Sequence, residues 1–494
     1  MSASNRSCFK VVIAAIIALL SALISCSDED KNPVKPSGDT TAPTAITDLV
    51  VTGTEIGSTS LSWTAVGDDT TSGTACRYDL RYSTSMINFE SAVQVAGVPS
   101  PQAAGTAESF TIEDLAPDKE YWFAIRVADE SDNWSPISNT VSAITDSLFG
   151  EPIYYDVGVN PSSIVAVKLN ADNHIDIAVS NRGEDNVTIL LNNGDGTFLT
   201  SANPSVNREP RSLATADFDG DGDMDLATAN GSTGDISVLL NLGNGTFETA
   251  VNYELSDPLH AYPASLNAVE LNGDDDIDLV LADQYGSAKK ISILFGNGDG
   301  SFQTPIDYDL EAMHVRTADL DGDMDTDLVA SLCMDQAAIL LNDGSGNFVV
   351  DSMLDLGFSG ECATGLVLAR FDGDQDFDII VSTDECKVFS NNGDATFTTV
   401  TSRVIPILNN ELGAYDLDDD GDLDLVGGFR QSQRLSIHMN TGAMAFTDRT
   451  DYWAEILNAD DVGLVISDFD GDGHLDGAIA TGDDGKLAVF LAVW

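Results

Sequence analysis

The chain of 494 residues is longer than one ordinary domain, and its 43% of hydrophobic residues is enough for packed cores rather than a disordered chain. Acidic residues outnumber basic residues by 81 to 22, which gives a net charge of −59. Coulomb repulsion at such a surface excludes nucleic acid and anionic lipid headgroups as partners and favours cations.

The N-terminus predicts an export signal at residues 1–25. Arg6 and Lys10 precede an apolar run at residues 11–24, which is too short to span a bilayer comfortably. The run ends in LISC at residues 23–26, which resembles a bacterial lipobox, in which the signal is removed before a cysteine that becomes lipidated. This resemblance implies lipidation at Cys26 and an outer-membrane or surface location in a Gram-negative bacterium, with the lipid as the protein's membrane contact. An ordinary signal peptide or a short anchor is the alternative.

Residues 26–42 are rich in Pro, Ser, Thr, Asp and Lys and predict a flexible tether. Residues 43–146 then alternate apolar and polar side chains in short segments, which predicts a β-sandwich. The predicted strands are residues 46–51, 60–64, 78–83, 109–115, 121–127 and 140–144.

The sandwich region resembles a fibronectin type III domain. The matching residues are LSW at 61–63, YDLRY at 78–82, and LAP at 115–117 followed by Tyr121. The resemblance implies that Trp63 fills the core and that Tyr121 makes a hydrogen bond at a corner of the sandwich. On the residues alone we interpret both side chains as core packing.

Residues 147–494 contain seven copies of an acidic loop of nine residues, such as DFDGDGDMD at 217–225. A glycine turn follows most copies, as in LLNNGDGTF at 190–198 and LLNLGNGTF at 239–247. The pattern of each unit predicts four strands, and repeats of this kind indicate a propeller or a solenoid. The seven loops end at Asp176, Asp225, Asp278, Asp327, Asp378, Asp424 and Asp476.

These units resemble the FG-GAP or VCBS repeats of the integrin alpha head and of bacterial surface proteins. The resemblance implies an all-β chain in which the sandwich is followed by a seven-bladed β-propeller with calcium loops. The last unit stops after its third strand, while PIYYDVG at 152–158 precedes the first unit. We therefore predict that this segment supplies the missing fourth strand of the last blade; six blades or an open solenoid is the alternative.

The chemistry of the acidic loop predicts Ca²⁺. Carboxylates at positions one, three, five and nine, with the backbone carbonyl of position seven, offer several hard oxygens from one flexible loop. Zinc would require Cys or His ligands. Aspartate and glycine also make good turns, but turn formation alone does not require carboxylates at fixed offsets in seven copies.

Two copies depart from the pattern because Lys168 and Arg370 occupy position one. The loops Lys168–Asp176 and Arg370–Asp378 are predicted to be metal-free and closed by internal salt bridges, which leaves about five calcium sites. The candidate ligands are Asp217, Asp219, Asp221, Asp223 and Asp225; Glu270, Asn272, Asp274, Asp276 and Asp278; Asp319, Asp321, Asp323, Asp325 and Asp327; Asp416, Asp418, Asp420, Asp422 and Asp424; and Asp468, Asp470, Asp472, His474 and Asp476.

Four cysteines remain beyond the export segment. Cys333, Cys362 and Cys386 are expected on the face opposite the acidic loops, where one disulfide is plausible and Cys362 with Cys386 is slightly favoured, while the pairing itself stays open. Cys76 is interpreted as a buried thiol.

The chain lacks G-x-S-x-G, H-E-x-x-H and phosphate-loop motifs, so no catalytic residue is predicted. The leading hypothesis is a lipid-anchored, calcium-stabilised adhesion protein that presents its propeller to a protein or carbohydrate ligand. The alternatives are a propeller-based polysaccharide lyase or glycoside hydrolase, and a structural spacer. A cluster of His, Arg, Tyr and acidic residues at the channel mouth, away from the acidic loops, would favour the enzyme, whereas exposed aromatics repeated in each blade would favour a lectin.

Overall fold

The computed structural model describes residues 40–493 except 70–72, 257–262, 284–289, 334, 358–362, 364, 383–384, 407–410, 430–433, 448, 455–461 and 483–484. Throughout this described part all helices and strands assigned are β-strands. The chain divides into two compact units, Met1–Asp146 and Ser147–Trp494. The export segment, Cys26 and most of the tether lie outside the described residues. Among those that are described, no helix has the length and apolar character needed to cross a bilayer.

The first unit is built from two antiparallel sheets, with strand orders β1-β2-β5 and β4-β3-β6-β7. Trp63, Leu80, Phe123 and Ile125 fill the core between them, each 3% exposed or less. The strands are β1 (Val50–Glu55), β2 (Ser58–Thr64), β3 (Arg77–Ser83), β4 (Val93–Gln94), β5 (Ala107–Ile112), β6 (Glu120–Ala128) and β7 (Val141–Ile144).

Tyr121 does more than pack in the core. Its hydroxyl accepts a hydrogen bond from the backbone N–H of Ala116 at 2.9 Å, and both residues are buried. This bond fixes the corner before β6, so the interpretation of Tyr121 as core packing alone is wrong. The first strand also begins later than predicted, because Ile46 and Leu49 are buried in the core while pairing with β2 begins at Val50.

The second unit contains seven four-stranded antiparallel sheets, which we number one to seven in chain order. Each acidic loop joins the first and second strands of one sheet and takes the number of that sheet. Sheets one to three are β9 (Pro161–Val167), β10 (Asp176–Asn181), β11 (Asn186–Asn192) and β12 (Phe198–Ala202); β13 (Pro210–Ala216), β14 (Asp225–Asn230), β15 (Asp235–Leu239) and β16 (Val251–Glu254); and β17 (Pro263–Val269), β18 (Asp278–Asp283), β19 (Ile291–Leu294) and β20 (Ile306–Tyr308).

Sheets four to six repeat this order. Their strands are β21 (Ala312–Ala318), β22 (Asp327–Leu332), β23 (Gln336–Asn342) and β24 (Phe348–Asp355); β25 (Gly365–Ala369), β26 (Asp378–Ser382), β27 (Glu385–Asn391) and β28 (Phe397–Pro406); and β29 (Glu411–Tyr415), β30 (Asp424–Phe429), β31 (Arg434–His438) and β32 (Thr450–Trp453).

Sheet seven is completed by a strand from the start of the unit. Its own strands are β33 (Val462–Ser467), β34 (Asp476–Thr481) and β35 (Lys486–Phe490), and β8 (Ile153–Asp156) pairs with β35 in antiparallel register. The predicted pairing of this early segment with the last strand of the chain is thus confirmed. The two ends of the unit are joined by a full set of ladder hydrogen bonds rather than by a loose contact.

The cores of the second unit lie between neighbouring sheets. Ile177, Leu190 and Phe198 of sheet one pack with Phe469 and Leu487 of sheet seven, so the last sheet packs against the first. The first strands, which we call the inner strands, contact one another in the cyclic order β9, β13, β17, β21, β25, β29, β33 and back to β9. A four-stranded sheet cannot bury both faces alone, and each sheet here is covered by its neighbours.

In five of the seven sheets, an asparagine at or just after the end of the third strand connects the sheet to the one before it, sheet seven being the one before sheet one. Asn342 donates its side-chain N–H groups to the carbonyl of Thr326 in its own acidic loop (3.0 Å) and to Leu271 in loop three (2.8 Å). Asn192 makes the corresponding bond from sheet one to Phe469 in loop seven at 2.7 Å. The same two-carbonyl pattern recurs at Asn241, Asn391 and Asn440.

The cysteines differ from expectation. Cys76 takes part in a disulfide, so the interpretation of Cys76 as a buried thiol is wrong; Cys333 is also a disulfide-bonded residue. Cys386 is buried at 5% exposure, and Cys362 lies outside the described residues.

Candidate metal centres

Each acidic loop ends in a buried aspartate, at position nine, whose two oxygens both accept backbone N–H groups. In loop two, Asp225 Oδ2 accepts from Phe218 at 2.9 Å and Oδ1 accepts from Asn241 at 2.7 Å. Phe218 is position two of the loop, whereas Asn241 follows the third strand of the sheet. This carboxylate therefore fastens the acidic loop to the glycine turn beside it.

The same pair of bonds occurs in all seven loops. The seven aspartates are at most 1% exposed. From the sequence we predicted only metal ligation at this position; the signal for a second role is that aspartate persists at position nine even where position one is Lys168 or Arg370. The seven are Asp176, Asp225, Asp278, Asp327, Asp378, Asp424 and Asp476.

The other loop carboxylates turn inward because the loop backbone donates to them. Asp217 accepts from the N–H groups of Gly220 (2.8 Å) and Gly222 (3.0 Å), at positions four and six. These glycines have φ values of 74° and 94°, in the left-handed region that residues with a Cβ rarely adopt. Asp219 likewise accepts from the N–H of Asp221 at 3.2 Å. Backbone donors thus hold the carboxylates of positions one and three inside the turn.

The structure brings together positions one, three and nine in four loops. In each of these loops, one ligand oxygen from each of the three carboxylates lies within 4.8 Å of the others. Among the described residues the four groups are Asp217, Asp219 and Asp225; Asp319, Asp321 and Asp327; Asp416, Asp418 and Asp424; and Asp468, Asp470 and Asp476.

The remaining predicted ligands lie elsewhere in the loops. At position five, Asp221 accepts the N–H of Asp223 at 2.9 Å. At position seven, the Asp223 side chain lies against Gly243 of the glycine turn, where a Cβ would collide with it. In loop three, Asn272 puts an amide at position three, and the Glu270 carboxylate accepts the Asn272 N–H at 2.8 Å. Loop three is therefore not one of the four carboxylate groups.

Loop six shows most directly that these groups suit a cation. Asp416 Oδ1 and Asp418 Oδ1 are buried and have no hydrogen-bond partner. Burial, together with the charges of neighbouring loop carboxylates, raises the pKa of Asp418 to about 6 and that of Asp424 to about 8. Buried carboxylate oxygens without a donor are costly unless a positive charge compensates them. A set of hard oxygen ligands fits Ca²⁺ better than a transition metal.

Comparison with known proteins matches both units to families. The FG-GAP-like repeat family matches residues 168–228, 217–281, 270–330 and 416–478, and the fibronectin type III domain matches residues 42–144. The chain contains FG-GAP-like repeats and a fibronectin type III domain. Six of the seven acidic loops thus lie within matched FG-GAP-like repeats, and the matches leave out loop five, which begins with Arg370.

Individual proteins are similar over smaller parts or at low identity. Chitinase A1 of Niallia circulans is 35% identical over 111 residues, which is 22% of this chain and 13% of the chitinase. Two crystal structures of BBS1N in complex with ARL6DN, one soaked with mercury and one with lead, align with a TM-score of 0.48 at 12% identity. They cover 70% of this chain and 97% and 98% of theirs.

The two acidic loops with a cation at position one do not close by the predicted salt bridges. The Arg370 guanidinium lies over the ring of Phe377, 4.7 Å from its centroid, as a cation–π contact within loop five. Within the described residues neither Lys168 nor Arg370 forms an ion pair with a carboxylate of its own loop. The prediction of internal salt bridges is therefore wrong, while the absence of metal from these two loops stays a prediction.

Without calcium, the free energy of unfolding should rise as pH falls. The additional stabilisation that calcium provides should decrease over the same range. Burial raises the pKa of the position-nine carboxyls Asp225, Asp278, Asp327 and Asp476 from 3.8 to about 6. Without metal the folded state then holds these protons more tightly than the unfolded state, so stability rises as pH falls from 8 through 6 towards 4. Bound calcium needs the ionised form, so its stabilisation fades over the same range.

Thermal melts at pH 8, 7, 6 and 5, on protein passed through a chelating resin and then with or without added Ca²⁺, check this. We expect the gap in melting temperature between the two series to narrow as pH falls. A gap that is constant or widens towards pH 5 would contradict the assignment of these carboxyls.

Asp418→Asn should remove calcium from one loop. The variant is expected to bind one Ca²⁺ fewer per chain by calorimetry and to melt lower in calcium. It should melt no lower than wild type in chelator, because it removes a buried charge without a donor. Asp419→Asn is the matched control, since its side chain is 64% exposed and lies outside the carboxylate group. Equal calcium binding by wild type and both variants would exclude loop six as a metal site.

Proposed function

We propose that this protein is a calcium-stabilised, lipid-anchored surface protein whose second unit is a closed seven-bladed propeller that binds a protein or carbohydrate partner. FG-GAP-like repeats with a fibronectin type III domain indicate an extracellular binding or structural protein. The finer statements rest on the geometry of the second unit and on the N-terminal sequence.

Closure of the propeller is supported by the completion of sheet seven by β8 and by two contacts between the first and last sheets. The β8 strand pairs with β35, Phe198 packs on Phe469 with ring centroids 5.5 Å apart, and Asn192 donates to the Phe469 carbonyl. Neighbouring sheets elsewhere in the unit are joined by the same kinds of contact, such as Phe302 on Phe218 at 5.5 Å. The first and last sheets therefore meet as ordinary neighbours do.

The single observation that carries the calcium proposal is the gathering of three carboxylates in each of four loops, with unpartnered buried oxygens in loop six. In this proposal loops two, three, four, six and seven bind the ion. Extracellular calcium modules bind at about 10⁻⁴–10⁻³ M, so about millimolar Ca²⁺ adds about 0.4–1.4 kcal/mol per site. Several such sites would add a large part of a domain's stability of about 5–15 kcal/mol. The metal is therefore proposed to stiffen the ring rather than to perform chemistry.

A second candidate function is a polysaccharide lyase or glycoside hydrolase. One observation favours it: His314, Arg316, Glu411 and Tyr415 lie on inner strands of sheets four and six. Exposed aromatic residues repeated in each sheet would indicate a lectin. On the fourth strands of the sheets, which we call the outer strands, the exposed aromatic residues described are mainly Trp453 (57% exposed) and Tyr154 (41% exposed). Release of reducing or unsaturated ends from polysaccharides by purified protein would establish the enzyme.

The anchoring part of the proposal is tested in a Gram-negative host that expresses the full chain. Wild type should fractionate with membranes and be cleaved by protease added to intact cells, because the lipid on Cys26 inserts into the bilayer. Cys26→Ala should appear in soluble fractions, while Cys8→Ala, which lies within the signal, should behave as wild type. Soluble wild-type protein, or membrane-bound Cys26→Ala, would exclude the lipid anchor.

The binding part is tested by exposing the purified Cys26→Ala chain to glycan arrays and to intact cells, in calcium and in chelator. Calcium-dependent retention is expected, since chelation should loosen the ring that presents the site. Equal retention in both conditions would contradict the calcium-dependent form of the proposal, and no retention in either would favour a structural spacer.

A further inference from the structure

One position on the inner strands holds serine in sheets one to three and other residue types in sheets four to seven. It lies five residues before position one of each acidic loop. In sheets one to three this position holds serines whose hydroxyls accept an N–H from the next inner strand, at distances of 3.2, 3.1 and 3.3 Å. From sheet one to sheet seven the residues are Ser163, Ser212, Ser265, His314, Gly365, Glu411 and Gly463. The repeat thus gives way to His314 and Glu411 in sheets four and six.

Arg316 lies near both His314 and Glu411, and the three residues form a cluster. Arg316 lies two residues after His314 on β21, so both side chains leave the strand on the same side. Its Nη2 lies 3.6 Å from Glu411 Oε1, and its Nη1 donates to Ser265 Oγ at 3.3 Å. Sheets four and six are not direct neighbours, because β25 of sheet five, which has Gly365 at this position, contacts the inner strands of both. Arg316 therefore links three sheets from inside the ring.

Tyr415 lies beside this ion pair. Glu411, Gly413 and Tyr415 alternate along β29, and the Tyr415 ring lies against Gly413, where a Cβ would collide with it. Burial raises the pKa of Tyr415 and of Glu411 and lowers that of His314 to about 3, so His314 is neutral and Tyr415 protonated at pH 7. Protein thus encloses the cluster on several sides.

The cluster is enclosed but still reachable. The Glu411 side chain is 41% exposed and the Arg316 side chain 24% exposed, although both lie on inner strands. The remaining hydrogen-bonding groups of the guanidinium and carboxylate therefore face accessible space within the ring.

We propose that this inner-strand cluster of His314, Arg316, Glu411 and Tyr415 binds a neutral saccharide. A guanidinium beside a carboxylate offers adjacent donors and acceptors that match two neighbouring hydroxyls of a sugar ring. The phenol and the imidazole supply further polar groups and flat ring surfaces. The net charge of −59 opposes entry of polyanions, so acidic polysaccharides are disfavoured and a neutral saccharide is the carbohydrate that we propose. The inference rests on the closed ring of the proposed function and names where that ring holds its carbohydrate.

The test uses the full chain in detergent with calcium, probed by saturation-transfer NMR and calorimetry with methyl glycosides of glucose, galactose, mannose and N-acetylglucosamine. The double variant Arg316→Met with Glu411→Met removes both charges without leaving either buried alone. We expect at least one glycoside to bind wild type and the double variant to bind it at least about tenfold more weakly. Trp453→Ala, on the outer strand of sheet six, should leave the affinity unchanged.

Melting in calcium and in chelator is measured for each variant, so that the two proposals fail separately. If the double variant does not fold, Tyr415→Phe replaces it, with affinity expected to fall by about threefold or more. Three outcomes would each overturn the inner-strand site: affinity lost only in Trp453→Ala, affinity retained in the inner-strand variants, or no binding of any glycoside. Calcium-dependent melting would remain in all three cases, and its loss would instead count against the proposed calcium ring.

Discussion

The second unit depends on one interaction: a buried aspartate that accepts two backbone N–H groups from different parts of its sheet. Asp225 shows the geometry, with one oxygen on the acidic loop and the other on the turn after the third strand. The bond pair costs desolvation of a carboxylate, which is why burial raises the pKa of Asp225 to about 6 despite the two donors. A nearby divalent cation would offset that cost. The same carboxylate thus serves the fold and the candidate metal site.

The repeats depend on one another because six of the seven acidic loops accept a hydrogen bond from the next sheet as well as from their own. Asn391 of sheet five donates to the Leu320 carbonyl of loop four, and the Ala395 N–H of the same turn donates to that carbonyl at 3.0 Å. Sheet three has Gly296 in place of the asparagine, yet the Gly300 N–H still donates to Phe218 of loop two at 2.8 Å. Order at one loop therefore supports order at the next. The contact of sheet seven with sheet one extends this support from the last repeat to the first. A cation bound at a few loops would therefore stabilise neighbouring sheets as well as its own.

The sequence predicted the parts of this structure that repeat. The four strands of each sheet, the seven loops and the pairing of β8 with β35 follow from spacing and from the missing last strand. It could not separate the two roles of Asp225, because spacing does not reveal which backbone groups a carboxylate meets. Nor could it predict that Arg370 lies over Phe377, since a ring seven residues away competes with the loop carboxylates only in three dimensions.

The inner-strand cluster was beyond sequence analysis for the same reason. Arg316 and Glu411 belong to different repeats, and only the cyclic contact of the inner strands brings them together. In the first unit, the alternating pattern placed the first strand too early because Ile46 and Leu49 are core residues outside the paired segment. Apolar patterning reports burial directly and strand pairing only indirectly.

The two roles of the position-nine carboxylate are separated most directly by comparing Asp176→Asn with Asp225→Asn. Loop one has Lys168 at position one and is predicted to bind no metal, whereas Asp225 belongs to a gathered carboxylate group. Either change replaces an acceptor oxygen with an amide that cannot accept the second N–H, a loss of about 1–3 kcal/mol. In free energies of unfolding, Asp176→Asn should cost the same with calcium as with chelator, and Asp225→Asn should cost more with calcium. Equal costs for both variants in both conditions, or no cost for either, would contradict the account.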